Sequence, residues 1–274
     1  MAAGGIEGAV FLNSTFGFMN QSGESFVRGT KMIGESRRLH LGCGLNTPEG
    51  WIHVDGSWNA WVAKYPLLRK ALKAIHLLPA ELEAITWNPD ILIHDLRKPL
   101  PFRDNYFNSI YASHVLEHLY LEEAKVLLSE CVRVLLPEGV LRIVVPDLRS
   151  IIEEYMGDGS LRNLTKDVEA MNRADRLNKR LLFRTPEARP GNLFYRVYTS
   201  LKDFHSHKWM YDAESLIYFL EKAGLIKVRE REFLESQIAG IEKIEKRESV
   251  MNGEGICVEG LKPRPENQKR GEFV

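Results

Sequence analysis

The segment RLHLGCGLNTPEGWIHVDGSW, Arg38 to Trp58, sets two short apolar runs on either side of a glycine pair. Leu39–Leu41 and Trp51–Val54 read as strands, and the second closes on an acid, Asp55. Only six residues separate Gly44 from Trp51. Parallel neighbours normally need a crossover of a dozen or more residues. If these strands are parallel, a tight loop must join them, with no room for a helix. Strand, glycine turn, strand, acid is how nucleotide-binding α/β units begin, so the missing helix is the feature to explain.

Further along, strand-like and helical runs alternate. Trp61–Leu78 reads as a helix with Leu68, Leu72 and Ile75 on one face and its start near Pro66. Ile91–His94 and Asn108–Ala112 read as strands. Leu121–Leu136 is an amphipathic helix stopped by Pro137 and Gly139. Val140–Val145, VLRIVV, has the continuous apolar character of a strand covered on both faces. From Asp147 to about Ser206 the pattern is helix and loop. Asp212 then caps the helix AESLIYFLEKAG, which ends at Gly224. Ile226–Glu232 and Gly255–Leu261 are the last strands, joined by a charged linker, IEKIEKRES.

These elements predict an α/β, Rossmann-like fold: a mostly parallel sheet of about seven strands with a helical cap insertion. Residues 1–35 are expected to be an irregular arm. Residues 36–262 are expected to form one domain, with the insertion at about 148–208, and residues 263–274 a disordered tail.

In open α/β sheets the ligand sits beyond the carboxyl ends of the strands, near the switch in strand order. Gly42 and Gly44 lie at that edge, where glycine lets backbone approach a ligand without a Cβ in the way. Asp55 ends the second strand and Asp95 the third. Two acids at successive strand ends suit the ribose hydroxyls and exocyclic amine of an adenosine. A dinucleotide fits poorly. The G-x-G-x-x-G pattern needs glycine where this chain has Thr47, and its ribose acid is expected about 20 residues on, whereas Asp55 follows Gly42 by 13. A pyrophosphate also wants a helix N-terminus aimed at it, and the loop has little room for one. No Gly-Lys-Ser/Thr follows to make a P-loop. S-adenosylmethionine, an adenosine without phosphate, avoids the difficulty.

Four stretches in order, LHLGCG…GWIHVD, HDLRKPLPFRDNYFNSIYASHVLEHL, ECVRVLLPEGVLRIVVPDL and HKWMYDAESLIYFLEKAGL, resemble class I S-adenosylmethionine-dependent methyltransferases. The nearest branch is a bacterial group of predicted methyltransferases with a shortened first crossover. The resemblance covers about residues 38–262. It implies S-adenosylmethionine as cofactor and a methyl transfer as activity. It implies that the turn Leu41, Gly42, Cys43 and Gly44 packs against the methionine part, and that Asp55, with Gly56 beside it, binds ribose. Asp95 would meet the adenine amine with Leu96 beside the ring. Ser113 and His114 would line the methionine end. The family often has an acid two residues before the first glycine, where this chain has His40, and many members have a third glycine where it has Asn46. A non-catalytic S-adenosylmethionine-binding module of the same fold is the alternative, with His40 as its warning sign. A dinucleotide-dependent oxidoreductase is a more distant one.

HVLEH, His114 to His118, matches the inverted zinc-peptidase pattern H-x-x-E-H. On a helix His114 and His118 would share a face, with Glu117 as base. The motif instead follows a strand-like run and lacks a further carboxylate ligand. No metal site is therefore expected, and a zinc hydrolase is a remote alternative. A hydroxyl acceptor needs a base near neutral pKa, usually histidine. His114 at the cleft, and His205 and His207 in DFHSHKWMYD, are the candidates.

The insertion interleaves Phe183, Phe194, Tyr195, Tyr198 and Phe204 with Arg180, Arg184, Arg189 and Arg196. Aromatic faces suit sugars or apolar groups and arginines suit phosphate or carboxylate, so the expected acceptor is a small molecule, a glycan or a lipid-linked compound. With 37 basic and 37 acidic residues the formal net charge is zero, which gives no field for nucleic acid. No apolar run reaches the ~20 residues of a membrane span, and stable membrane insertion is not expected. Three scattered cysteines and no signal-peptide pattern favour the cytoplasm.

Overall fold

In a computed structural model of the chain, residues 37–65, 67, 70, 87–157, 172–181, 206–251 and 255–265 are described. The expected arm at 1–35, most of the tail, His205 and the aromatic residues of the insertion lie outside them.

Seven strands form one sheet: β1 (Arg38–Leu41), β2 (Ile52–Asp55), β3 (Leu92–Ile93), β4 (Phe107–Ser113), β5 (Leu135–Pro146), β6 (Ile226–Arg231) and β7 (Gly255–Leu261). Their order is β3-β2-β1-β4-β5-β7-β6. The pairs from β3 to β5 are parallel, and β7 runs antiparallel to both β5 and β6. The tight first connection is as expected: Leu39 pairs in parallel with Ile52 and Leu41 with Val54, with only residues 42–51 between the strands.

Six helices are described: α1 (Trp58–Lys64), α2 (Leu121–Val134), α3 (Leu148–Met156), α4 (Arg173–Leu181), α5 (Ala213–Lys222) and α6 (Arg247–Met251). Helix α1 was not expected as a separate element; beyond it Leu67 and Lys70 are helical, in line with a helix that starts near Pro66. Ser57 takes the N-cap of α1, its Oγ accepting from Ala60 N, and α1 stops at Tyr65. Leu68, Leu72 and Ile75 lie outside the described residues. Helix α5 is capped as expected, Asp212 accepting from Ser215 N, and Gly224 follows with φ of 102°. The third strand is shorter than expected.

Two cores flank the sheet. Leu39, Leu41, Val54, Ile110 and Ile143 face the larger one, which Leu127, Leu128 and Cys131 of α2 and Leu216 and Leu220 of α5 cover. Trp51, Tyr111, Val144 and Cys257 face the smaller one, covered by Ile238, Ile241 and Ile244 of the β6–β7 connection. That connection looked like a charged linker, yet its isoleucines are buried. Within the same layer the fully buried Arg142 of β5 makes a bidentate pair with Glu245 at 2.7 and 2.9 Å. Its guanidinium also donates to the carbonyls of Glu232 and Glu235.

Candidate active site

The order reverses between β1 and β4, so their carboxyl ends bound the switch-point crevice. The glycines there have distinct reasons to be glycine. Gly42 has φ of 62°, and a Cβ on it would lie 2.3 Å from Val115 Cγ2, so the turn after β1 packs against the turn after β4. Gly44 has φ of 53° and open space where a Cβ would be. A Cβ on Gly56 would come within 2.5 Å of the His94 carbonyl, so the end of β2 passes closely over the end of β3.

Asp55 closes the turn. Its Oδ2 accepts from Gly44 N and its Oδ1 from Ser57 N, both at 2.8 Å. One N–H to each oxygen leaves lone pairs on both for ligand hydroxyls. Cys43 is buried, and burial together with Asp55 pushes its thiol up to about 12, so it stays protonated and unreactive.

At β3 the picture is less open. Asp95 is held in a bidentate pair by Arg97, Nε to Oδ1 at 2.8 Å and Nη2 to Oδ2 at 2.9 Å. The hydrogen bonds from Arg97 hold its carboxyl below the usual range. The side chain of Leu96 is buried in the larger core rather than displayed at the edge.

After β4 the backbone turns at His114, whose φ of 54° is left-handed and therefore strained for histidine. Its Nδ1 lies 3.0 Å from Glu117 Oε1. Since an acceptor-only carboxylate faces it, Nδ1 carries the proton. Glu117 is fully buried, while the His114 side chain is about a third exposed. Ser113 is half-buried, its Oγ enclosed. No α-helix carries HVLEH: only a 3-10 turn, Leu116–His118, is present. His114 therefore turns to Glu117 and does not share a helical face with His118.

His40, where an acid was expected, points into the smaller core. It is buried against Trp51, His53 and Tyr111, with ring centroids 5.5–6.5 Å away. Burial, then His53, lowers its pKa from 6.5 to about 3, so it is neutral. It supplies no negative charge to a ligand. His207 is buried where the segment after the insertion rejoins the sheet: Lys208 N and Trp209 N donate to the Glu117 carbonyl at 2.6 and 3.3 Å. Sequence reading named His114 and His207 separately and could not show that Glu117 stands between them. The i,i+3 spacing of His114 and Glu117 was the only signal.

Residues 56–143 match a family described as Methyltransferase domain. The match begins just past Asp55, so the shortened crossover lies outside it. No curated protein matches the chain. Among solved structures, an S-adenosylmethionine-dependent methyltransferase from Archaeoglobus fulgidus is 16% identical, with a TM-score of 0.40, covering 84% of this chain and 88% of that one. A phosphoethanolamine N-methyltransferase from Haemonchus contortus, in complex with phosphomonomethylethanolamine and S-adenosylhomocysteine, is 14% identical, with a TM-score of 0.37, covering 83% of this chain and 48% of that one. The CurJ carbon methyltransferase is 14% identical, with a TM-score of 0.40, covering 83% and 48%. Residues 56–143 are thus similar to a methyltransferase domain, and the seven-stranded, mostly parallel sheet with its reversed β7 is a Rossmann-like fold consistent with that match.

Proposed function

We propose that the chain transfers a methyl group from S-adenosylmethionine to an acceptor bound beyond the carboxyl ends of β1 and β4. The observation that carries this reading is the closed unit of glycine turn and acid: Gly44 open to the crevice and Asp55 tied to it at 2.8 Å. This cradle suits an adenosyl group and has no helix N-terminus that would hold a pyrophosphate, since α1 starts only after β2.

When bound, S-adenosylmethionine supplies an electrophilic methyl on a sulfonium. The chain's part is positioning, which supplies much of the acceleration in such a displacement. Asp55 would take the ribose hydroxyls on its spare lone pairs. Gly42 and Gly44 would let the turn lie against the methionine part, with Leu41, Cys43 and Gly56 holding its walls. Asp95 would meet the adenine amine beside Leu96, sharing its carboxylate with Arg97. Ser113 and His114 would line the methionine end. His114 acts as general base for a hydroxyl acceptor. Glu117 fixes its Nδ1–H, so the proton is taken at Nε2. His207, the other candidate base in the described residues, is buried, and His205 lies outside them.

The acceptor is a small molecule, a glycan or a lipid-linked compound, a reading that rests on the aromatic and arginine residues of the insertion. Within the described residues no helix is long and apolar enough to cross a membrane. All three cysteines are free and buried, in keeping with the cytoplasm.

Calorimetry with S-adenosylhomocysteine and NAD tests the cofactor reading: binding of the first and none of the second is expected, and the reverse would overturn it. Methyl-labelled cofactor offered with hydroxylated small molecules, glycans and lipid-linked sugars tests transfer. Tight binding without transfer to any of them would instead indicate a binding module.

A further inference from the structure

Behind the His114 base, three other donors converge. Glu117, His118 and His207 each bring one ligand atom within 4.8 Å of the others. Glu117 Oε2 and His207 Nδ1 are enclosed and have no hydrogen-bond partner, and Glu117 is fully buried. Enclosed polar atoms without partners are uncommon and call for an explanation.

Of the remaining polar atoms, Glu117 Oε1 and His118 Nδ1 are engaged. Glu117 Oε1 is taken by His114. His118 Nδ1 lies 3.3 Å from the Ser206 carbonyl. The Leu181 backbone lies near the His207 ring. The ring's Nδ1 has no partner, so the ring proton is placed on Nε2, towards that backbone carbonyl. A carbonyl only accepts, so each ring carries its proton on the nitrogen facing backbone, which leaves a lone pair on His118 Nε2 and on His207 Nδ1. Imidazoles that ligate metals are oriented in this way, by donating the other N–H to a carbonyl or carboxylate. The two rings meet edge to face, centroids 5.1 Å apart. The backbone locks the halves together through the bonds from Lys208 N and Trp209 N to Glu117 O.

We propose that Glu117, His118 and His207 form a binding site for a divalent transition metal of the zinc type. Two neutral imidazoles and one carboxylate suit zinc and its first-row neighbours and leave a fourth position for water or another oxygen donor. His114 is not a ligand, in contrast to the peptidase pairing that H-x-x-E-H implies. Around a tetrahedral metal with bonds of about 2.0–2.2 Å the ligand atoms lie about 3.4 Å apart, so donors within 4.8 Å of one another must close by at most about 1.4 Å. His118, the half-buried member, gives the way in.

The site can be tested without any assay of methyl transfer. The full chain is stripped with a chelator, re-equilibrated with Zn²⁺ and analysed for metal, with Co²⁺ as a spectroscopic stand-in. Roughly one zinc per chain is expected, together with a four- or five-coordinate Co²⁺ absorption band. His118→Ala and His207→Ala are expected to weaken zinc binding by at least ~100-fold while circular dichroism and S-adenosylhomocysteine binding persist; His114→Ala is expected to keep the zinc. If a histidine-to-alanine chain fails to fold, His207→Gln and the Co²⁺ band of the folded wild type decide in its place. Absence of zinc from the re-equilibrated wild type, retention of it in both ligand variants, or its loss in His114→Ala would overturn the proposal. Cofactor binding measured on the same samples reports separately on the methyltransferase reading.

Discussion

Asp55 ties the glycine turn to the end of β2, and its replacement by asparagine removes one of those ties while keeping the shape. The carboxylate accepts one backbone N–H on each oxygen, from Gly44 and from Ser57, both at 2.8 Å. Asparagine keeps a single oxygen. Whichever way its amide turns, an NH₂ faces a backbone N–H, so one bond is lost and a donor is left opposed to a donor. A bond from backbone to a charged acceptor is worth about 1.5–3 kcal/mol, and the loss at this 6% exposed position is not made up by water. Asparagine also takes away acceptor capacity for the ribose. With about 2 kcal/mol of that loss falling on the ligand, affinity drops roughly 30-fold. Calorimetry with S-adenosylhomocysteine, alongside a thermal melt, measures both parts. An affinity within about threefold of wild type, in a chain that still folds, would refute the placement of the cofactor on Asp55.

Gly42→Ala combines a left-handed φ with a Cβ 2.3 Å from Val115; a loss of about 2–5 kcal/mol in denaturant unfolding is expected. Glu245→Ala leaves the buried Arg142 with two backbone carbonyls and, as its carboxylate partner, Glu259 at 3.5 Å, and about 3–5 kcal/mol of stability should be lost in the same assay. His40 has a folded pKa depressed to about 3, so its contribution is full above pH 6.5 and is lost as pH falls toward 3. That drop corresponds to at most about 5 kcal/mol, and His40→Leu should flatten the acid limb of melting temperature against pH. His114→Ala should lower kcat for a hydroxyl acceptor about 10²–10⁴-fold, well beyond any loss of S-adenosylhomocysteine affinity, which parallel calorimetry and turnover measurements check.

The sheet was legible in the sequence because its strands are short β-branched or aliphatic runs punctuated by glycine and proline. VLRIVV is one example, and its neighbour GICVEGL was read with the observed limits. Helix α1 was missed because Ser57, whose hydroxyl caps it, lies among ordinary residues, while Pro66 marks a later helical stretch that includes Leu67 and Lys70. Asp95 was recognised as an acid at a strand end, but its capture by Arg97 depends on a side-chain geometry that spacing does not give. The meeting of Glu117 and His118 with His207 depends on the path of the chain through the insertion, and no local pattern carries that.

The missing crossover helix had to be replaced on the sheet as well as dispensed with in the ligand site. A helix between β1 and β2 would ordinarily cover one face of those strands and β4. Here the face carries His40, Tyr111, Val144 and Cys257, and the loop itself supplies Trp51. The rest of the cover comes from the far end of the chain: Ile238, Ile241 and Ile244, anchored by Arg142 and Glu245 and by the amide of Asn46 donating to the Ile244 carbonyl at 2.8 Å. So Asn46, which stands where the resembled family often has a third glycine, fastens the shortened loop to its substitute cover. His40, which stands where that family often has an acid, is one of the rings packed beneath that cover. An aspartate there would put a charge among Trp51, His53 and Tyr111 with little water to hold it. The two departures from the pattern that the sequence resembles are therefore explained by one cause, the loss of the helix, and on the proposed reading the burden of orienting the cofactor would fall more heavily on Asp55 and the backbone of Gly42 and Gly44.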